Sequence, residues 1–196
     1  MEPIVIAVVG MPASGKTEAT YIVQESYAIG LVRLSVVVRD ELKIRNLEEN
    51  YENLEVVVRD LRQQFGEDIV IRRAAGLLTK MGRSVCCIDG VRSLSEIAAL
   101  KQMFPNLISL AIYASPRLRY MRTNRLPPPI TPEQFERRDR QNLALGVGEV
   151  IALADYLVVH DDDSRAKFKN TLGRVVRKIS DAHNCPWPPS ESRHST

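Results

Sequence analysis

Gly10-Met11-Pro12-Ala13-Ser14-Gly15-Lys16-Thr17 is the stretch on which the reading of this 196-residue chain turns. It carries glycines five apart, then a lysine and a hydroxyl. Glycine tolerates the backbone angles needed to wrap a loop closely around phosphates, with several N–H groups pointing inward. Ile4-Val5-Ile6-Ala7-Val8-Val9 leads in as a continuous apolar run, the pattern of a strand buried on both faces. A helix is expected from Lys16 to about Ala28, and its N-terminal end adds positive potential. Strand, glycine loop and helix in this order form a phosphate-binding loop of the Walker A type. Gly10, Pro12, Ala13, Ser14 and Gly15 are expected to cradle the phosphates of ATP. Lys16 is expected to reach the β- and γ-phosphates, and the Thr17 hydroxyl to hold Mg²⁺. Ala13 stands where many such loops carry glycine, so a positive φ there would strain it.

Outward from the loop, short apolar runs alternate with longer amphipathic ones. Leu31 to Ser35, Val85 to Ile88, Leu107 to Tyr113 and Tyr156 to Val159 read as further strands. Val36 to Gly82 reads as mostly helical, with breaks near Asn50 and Gly66. Further helices are expected over Ser93–Phe104, with a capping box of Ser93 and Glu96, over Pro116–Arg125, over Pro132 to about Leu145, and from a cap at Asp163 or Ser164 to about Ser180. Strands separated by helices imply an α/β fold with five parallel strands and helices on both faces. That is the three-layer architecture of P-loop NTPases. Residues 1–181 are expected to form one domain, with 35–82 as a helical insertion. Residues 182–196, rich in proline and polar residues, read as a loosely ordered tail.

Composition sets limits. The net charge is +3, too mild to demand nucleic acid by itself. Twenty of the 27 cations are arginine, whose planar fork suits paired phosphate oxygens. Cys86 and Cys87 are adjacent on an expected strand and so point to opposite faces, and Cys185 lies in the tail. No pair has metal or disulfide spacing, which suits a reducing cytoplasm. The longest apolar run is too short to span a membrane, and no secretory signal is read at the N-terminus.

Val85-Cys86-Cys87-Ile88-Asp89 has the form of a strand ending in a magnesium-binding carboxylate, so Asp89 joins Thr17 as a candidate metal ligand. The alternative is an aspartate that merely opens a turn with Gly90. Residues 117–145 are read as a lid. From Arg117 to Arg140 the chain carries seven arginines against Glu133, Glu136 and Asp139, with a break at Pro127-Pro128-Pro129. Arg119 and Arg122 lie on one helical face, and Arg138 and Arg140 point differently. Arg119, Arg122 and Arg138 are the candidates to neutralise charge during phosphoryl transfer.

Asp89-Gly90-Val91-Arg92 resembles the strand end of nucleoside monophosphate kinases, where the arginine grips the acceptor phosphate. Leu34-Ser35-Val36-Val37-Val38-Arg39 resembles an adenylate kinase segment that ends in another acceptor-binding arginine, but Val36 replaces its aspartate. The order of pieces is similar to an archaeal family of nucleotide kinases related to adenylate kinase and dephospho-coenzyme A kinase. Those pieces run from the loop at 10–17 through Val-Val-Arg-Asp-Glu (37–41), Phe-Gly-Glu-Asp (65–68), Ile-Asp-Gly-Val-Arg-Ser (88–93), Ala-Ser-Pro (114–116) and Glu-Arg-Arg-Asp-Arg (136–140) to Gly-Val-Gly-Glu-Val-Ile-Ala-Leu-Ala-Asp-Tyr (146–156). The resemblance implies transfer of phosphate from ATP·Mg to a small phosphorylated acceptor held by Arg39 and Arg92. It also places His160, in the position of an asparagine near the nucleotide base, as a candidate base contact; the alternative is an ordinary surface histidine. A second reading is an ATPase or switch acting with RNA or a protein partner, favoured by Val36 and the arginine content.

Overall fold

The apolar run Ile4–Val9 forms strand β1, and all six of its residues are buried. The computed structural model describes residues 2–27, 29–125 and 127–183 of the chain. β1 is the middle of a five-stranded sheet ordered β2-β3-β1-β4-β5. The other strands are β2 (Gly30–Arg33), β3 (Val85–Asp89), β4 (Leu107–Tyr113) and β5 (Tyr156–Val159). All four pairings are parallel. Parallel strands must be joined by crossovers, which here are helical and cover both faces.

One face is covered by α1 (Lys16–Tyr27) and α9 (Arg165–Ala182). Its core includes Ile22, Phe168, Leu172 and Val176 against Ile6, Val8 and Cys87. The other face carries α2 (Leu34–Ile44), α3 (Tyr51–Phe65), α4 (Ile69–Met81), α5 (Leu94–Met103) and α8 (Val147–Ala152). Cys86 belongs to that second core, so the adjacent cysteines do face opposite layers. Two further helices, α6 (Pro116–Thr123) and α7 (Pro132–Ala144), follow β4. Among the described residues no helix is long and apolar enough to cross a membrane.

Local signals explain most boundaries. Asn50 caps α3 by accepting from the Asn53 N–H at 2.9 Å, and Gly66, at φ +98°, ends it. Thr131 and Gln134 form a reciprocal capping box at α7. At α5 the box is displaced by one residue. Ser93 Oγ accepts from the Glu96 N–H, but the Glu96 carboxylate accepts from Arg92 N–H at 2.7 Å.

Three expectations change. β2 ends at Arg33, because Leu34 already turns into α2 and sends Val37 and Val38 inward. α8 was not anticipated; its six residues are too short to show a helical period. α9 runs to Ala182, past the expected end at Ser180, and the expected tail lies from residue 184 outside the described residues.

Charged side chains tie α2, α3 and α4 together. Glu41 on α2 accepts from Arg45 at 2.9 Å and from Arg73 on α4 at 2.8 Å, while Arg45 also donates to Asp60 on α3 at 2.9 Å. The Arg73 and Arg45 hydrogen bonds hold the Glu41 carboxyl below its usual value, against a smaller opposing effect of burial. The turn from β1 to α1 bends through Gly10 at φ +151°, Ala13 at φ +60° and Gly15 at φ +102°. Ala13 thus adopts the left-handed conformation that its Cβ disfavours.

Two outcomes follow. Ala13→Gly removes the left-handed penalty of about 1–2 kcal/mol but loosens the unfolded chain by about half that, so the variant is more stable by about 0.5–1 kcal/mol in urea unfolding. Glu41→Gln is less stable than the parent at neutral pH. Because the folded carboxyl titrates below its usual 4.5, its stabilising share is complete above that value and is lost as pH falls through the folded value. The gap between the two unfolding curves therefore closes in acid.

Candidate phosphate-binding and magnesium site

The site stands at the carboxyl edge of the sheet, where β1 and β3 end side by side with Val8 opposite Asp89. Ligands of open α/β sheets bind at this edge. The loop after β1 is packed hard from outside. A Cβ on Gly10 would stand 2.4 Å from Ile112 O, and one on Gly15 would stand 2.4 Å from His160 Nδ1. Both positions therefore require glycine on grounds of space as well as angle. Ser14 is fully buried, and its Oγ has no partner.

Lys16 folds back over the loop, donating to Gly10 O at 2.8 Å and Met11 O at 2.9 Å. Burial lowers its ammonium to about 8; Asp89 opposes that shift, and Arg92, Arg119 and Arg138 add to it. Lys16 is therefore the point at which Asp89, Arg92, Arg119 and Arg138 are felt together. Burial raises the Asp89 carboxyl, and Lys16, Arg33 and Arg92 offset it. Asp89 Oδ1 is buried without a partner.

Magnesium keeps several waters and binds through one or two protein oxygens plus phosphate oxygens. The orphaned Asp89 Oδ1 and the exposed Thr17 fit that mode. Among the described residues no group of three or more His, Cys, Asp or Glu side chains forms a closed metal cage, and that mode requires none.

The expected lid arginines occupy different places. Arg119, 3% exposed, donates to Asp139 on α7 at 2.7 Å and to Pro12 O at 3.4 Å, with its guanidinium over the Phe135 ring. Arg122 reaches Ser14 O at 3.3 Å, His160 O at 3.2 Å and Asp162 O at 2.8 Å. Both arginines brace the outside of the loop through its carbonyls. Arg138 makes one hydrogen bond, to Thr123 Oγ1 at 3.0 Å, and its Nε is buried without a partner. Arg140 is exposed and pairs with Glu136.

Of the two candidate acceptor arginines, Arg92 is exposed, and among the described residues its guanidinium makes no hydrogen bond or ion pair. Its loop is held by Glu96, which also receives Arg62 of α3 at 3.4 Å. Arg39 is already engaged, donating to Glu49 at 2.7 Å and to Ser35 Oγ at 3.5 Å. Val36 is 38% exposed.

His160 is not a surface residue. It is 4% exposed, and its ring stacks on Phe168 at 3.7 Å with the planes 7° apart. Burial lowers its pKa, and Arg122 adds to that. The ring is a wall behind Gly15. The sequence reading missed it because a histidine after a strand looks polar, and the stacking partner lies on another helix. Arg33 was also missed. It stands opposite Asp89 in register, with Nε 3.9 Å from Asp89 Oδ2. An expected strand end at Ser35 had hidden it inside β2.

No family model matches the chain. A UPF0200 protein of Hyperthermus butylicus is 36% identical over 179 residues, which cover 88% of this chain and 95% of that protein. Among solved structures, shikimate kinase from Bacteroides thetaiotaomicron superposes with a TM-score of 0.57 at 12% identity, covering 90% of this chain and 98% of that one. A gluconokinase from Sinorhizobium meliloti 1021 gives 0.56 at 14% identity, covering 93% and 97%. At such identity the likeness is one of fold, and it agrees with the five-stranded P-loop architecture. With more than a third of the aligned residues identical along nearly the whole length of a relative, the chain belongs to the UPF0200 family.

Proposed function

We propose that the protein is an ATP- and magnesium-dependent phosphotransferase acting on a small phosphorylated acceptor, such as a nucleoside monophosphate or dephospho-coenzyme A. The observation that carries this reading is Arg92, an exposed guanidinium without a partner among the described residues, whose charge is felt at both Lys16 and Asp89. A hydrolase needs only water beside the γ-phosphate. A free arginine at that edge supplies a seat for a second anion. The likeness to shikimate kinase and gluconokinase folds supports a kinase, and the resemblance of residues 34–39 and 89–92 to segments of adenylate kinase and nucleoside monophosphate kinases favours a phosphorylated acceptor.

In this reading Lys16 leaves the Gly10 and Met11 carbonyls and takes the β- and γ-phosphate oxygens, while the inward loop N–H groups hold the rest. Thr17 and Asp89 hold magnesium, which supplies charge neutralisation across the phosphates. Arg138 turns its unpartnered Nε–H to the transferred group, and Arg119 and Arg122 keep the loop in shape. Arg92 seats the acceptor phosphate, joined by Arg39 once it exchanges Glu49 for the ligand. Residues 117–145 act as the lid and 35–82 as the acceptor-binding insertion. Transfer is direct and in line, so no covalent nucleophile is needed.

A second reading, an ATPase or switch with an RNA partner, draws on α9. Its Arg165, Lys167, Lys169, Arg174, Arg177 and Lys178 face only Asp181 within the helix. That reading requires RNA binding that weakens steeply with salt and hydrolysis stimulated by RNA.

A coupled assay offering nucleoside monophosphates and dephospho-coenzyme A decides between them. Turnover of one acceptor well above ATP hydrolysis is the expected result, and none above that background overturns the kinase reading. Arg92→Ala raises the KM for that acceptor by about 10- to 100-fold, the worth of a charge-assisted hydrogen bond or two, and leaves ATP affinity unchanged. Triphosphate beside Lys16 favours its charged form, so its lowered value of about 8 rises on binding. Calorimetry near pH 8 in buffers of different ionisation heat should therefore show proton uptake, and ATP affinity should fall as pH rises through that value.

A further inference from the structure

Arg33, at the carboxyl edge, carries two buried nitrogens that make no hydrogen bond among the described residues. It closes β2 directly opposite Asp89. Its guanidinium lies over the Tyr21 ring of α1, 4.6 Å from the ring centre. Its Nε is 3.9 Å from Asp89 Oδ2, within ion-pair reach but outside hydrogen-bond distance. Both Nε and Nη2 are buried and make no hydrogen bond, and so is Asp89 Oδ1. Buried polar groups are normally paired, and unpaired ones point to an absent partner or a poised arrangement. Here opposite charges face each other with idle buried atoms on both sides.

The same carboxylate is the candidate magnesium ligand. A divalent ion on Asp89 would stand within a few ångströms of the guanidinium, and like charges at that range repel. The ion and the arginine therefore cannot both enjoy the carboxylate fully. Tyr21 gives the guanidinium an aromatic face on which to stay once it is pushed away. The missing hydrogen bond leaves little to break.

We propose that Arg33 is a positioning residue that competes with magnesium for Asp89, compensating the carboxylate in the metal-free protein and yielding it when the nucleotide brings the ion. This rests on the reading of Asp89 as a metal ligand. The consequence is an order of events. Metal-free ATP finds Asp89 already compensated, and the ion has to displace Arg33 before the site is complete.

Binding of ATP is measured by calorimetry across a magnesium titration, with no turnover required. Arg33→Ala is expected to lower the magnesium concentration at half-effect about fivefold, the worth of a partly exposed ion pair. Arg33→Lys retains the charge and falls between; if the alanine variant fails to fold, a shift in the lysine variant carries the test. Arg140→Ala, at an exposed cation paired with Glu136, serves as a control for net charge. An unchanged midpoint in the Arg33 variants, or an equal shift in Arg140→Ala, overturns the proposal. Asp89→Asn separates the two readings. If it abolishes the magnesium effect while the Arg33 variants behave as the parent, Asp89 binds the ion and the competition alone fails. If it leaves the midpoint unmoved, the metal-ligand reading fails as well.

Discussion

Parallel strands covered on both faces leave a protein of this size one place to gather charge, the edge where the strands end. β1 is buried along its whole length, and its neighbour β3 is buried through to Asp89. Neither can carry a working polar group until its last residue. Gly10 begins the loop and Asp89 ends its strand at that same edge, while Arg33 ends the strand beyond. The site is assembled by where strands stop.

Positive charge dominates the electrostatics of this edge. Lys16 is held by its own loop's carbonyls, and its charge is destabilised by burial and by three arginines. Asp89 opposes that shift, and Arg119 is itself paired with Asp139. Positive charge gathered at a partly buried edge stabilises negative charge brought to it. Arg119 and Arg122 show a different use of the same residue type: they are spent on backbone carbonyls and Asp139, fixing the loop's outer surface.

Much of the architecture could be read from the chain. The runs at 4–9, 107–113 and 156–159 are strands to the residue, because an apolar run between turn-formers permits little else. The loop was legible because space and backbone angle both demand glycine at fixed spacing. What was hidden depended on contacts far apart in sequence. His160 became a wall only when α9 brought Phe168 beneath it. Arg33 gained meaning only when register set it against Asp89. α8 is shorter than two turns and carries no period. Arg119, Arg122 and Arg138 looked alike as letters; their separate partners are Asp139 on α7, Asp162 in the loop before α9 and Thr123 at the end of α6.

The contact between Gly15 and His160 reaches beyond local packing. The phosphate loop belongs to the centre of the sheet, and His160 follows the edge strand two positions away. The missing Cβ of one and the ring of the other share a single volume, with Phe168 closing it from below. The room at residue 15 is thus bounded by the ring at residue 160 as well as by the backbone angle at Gly15, so the periphery of this sheet sets the volume open to the loop at its centre.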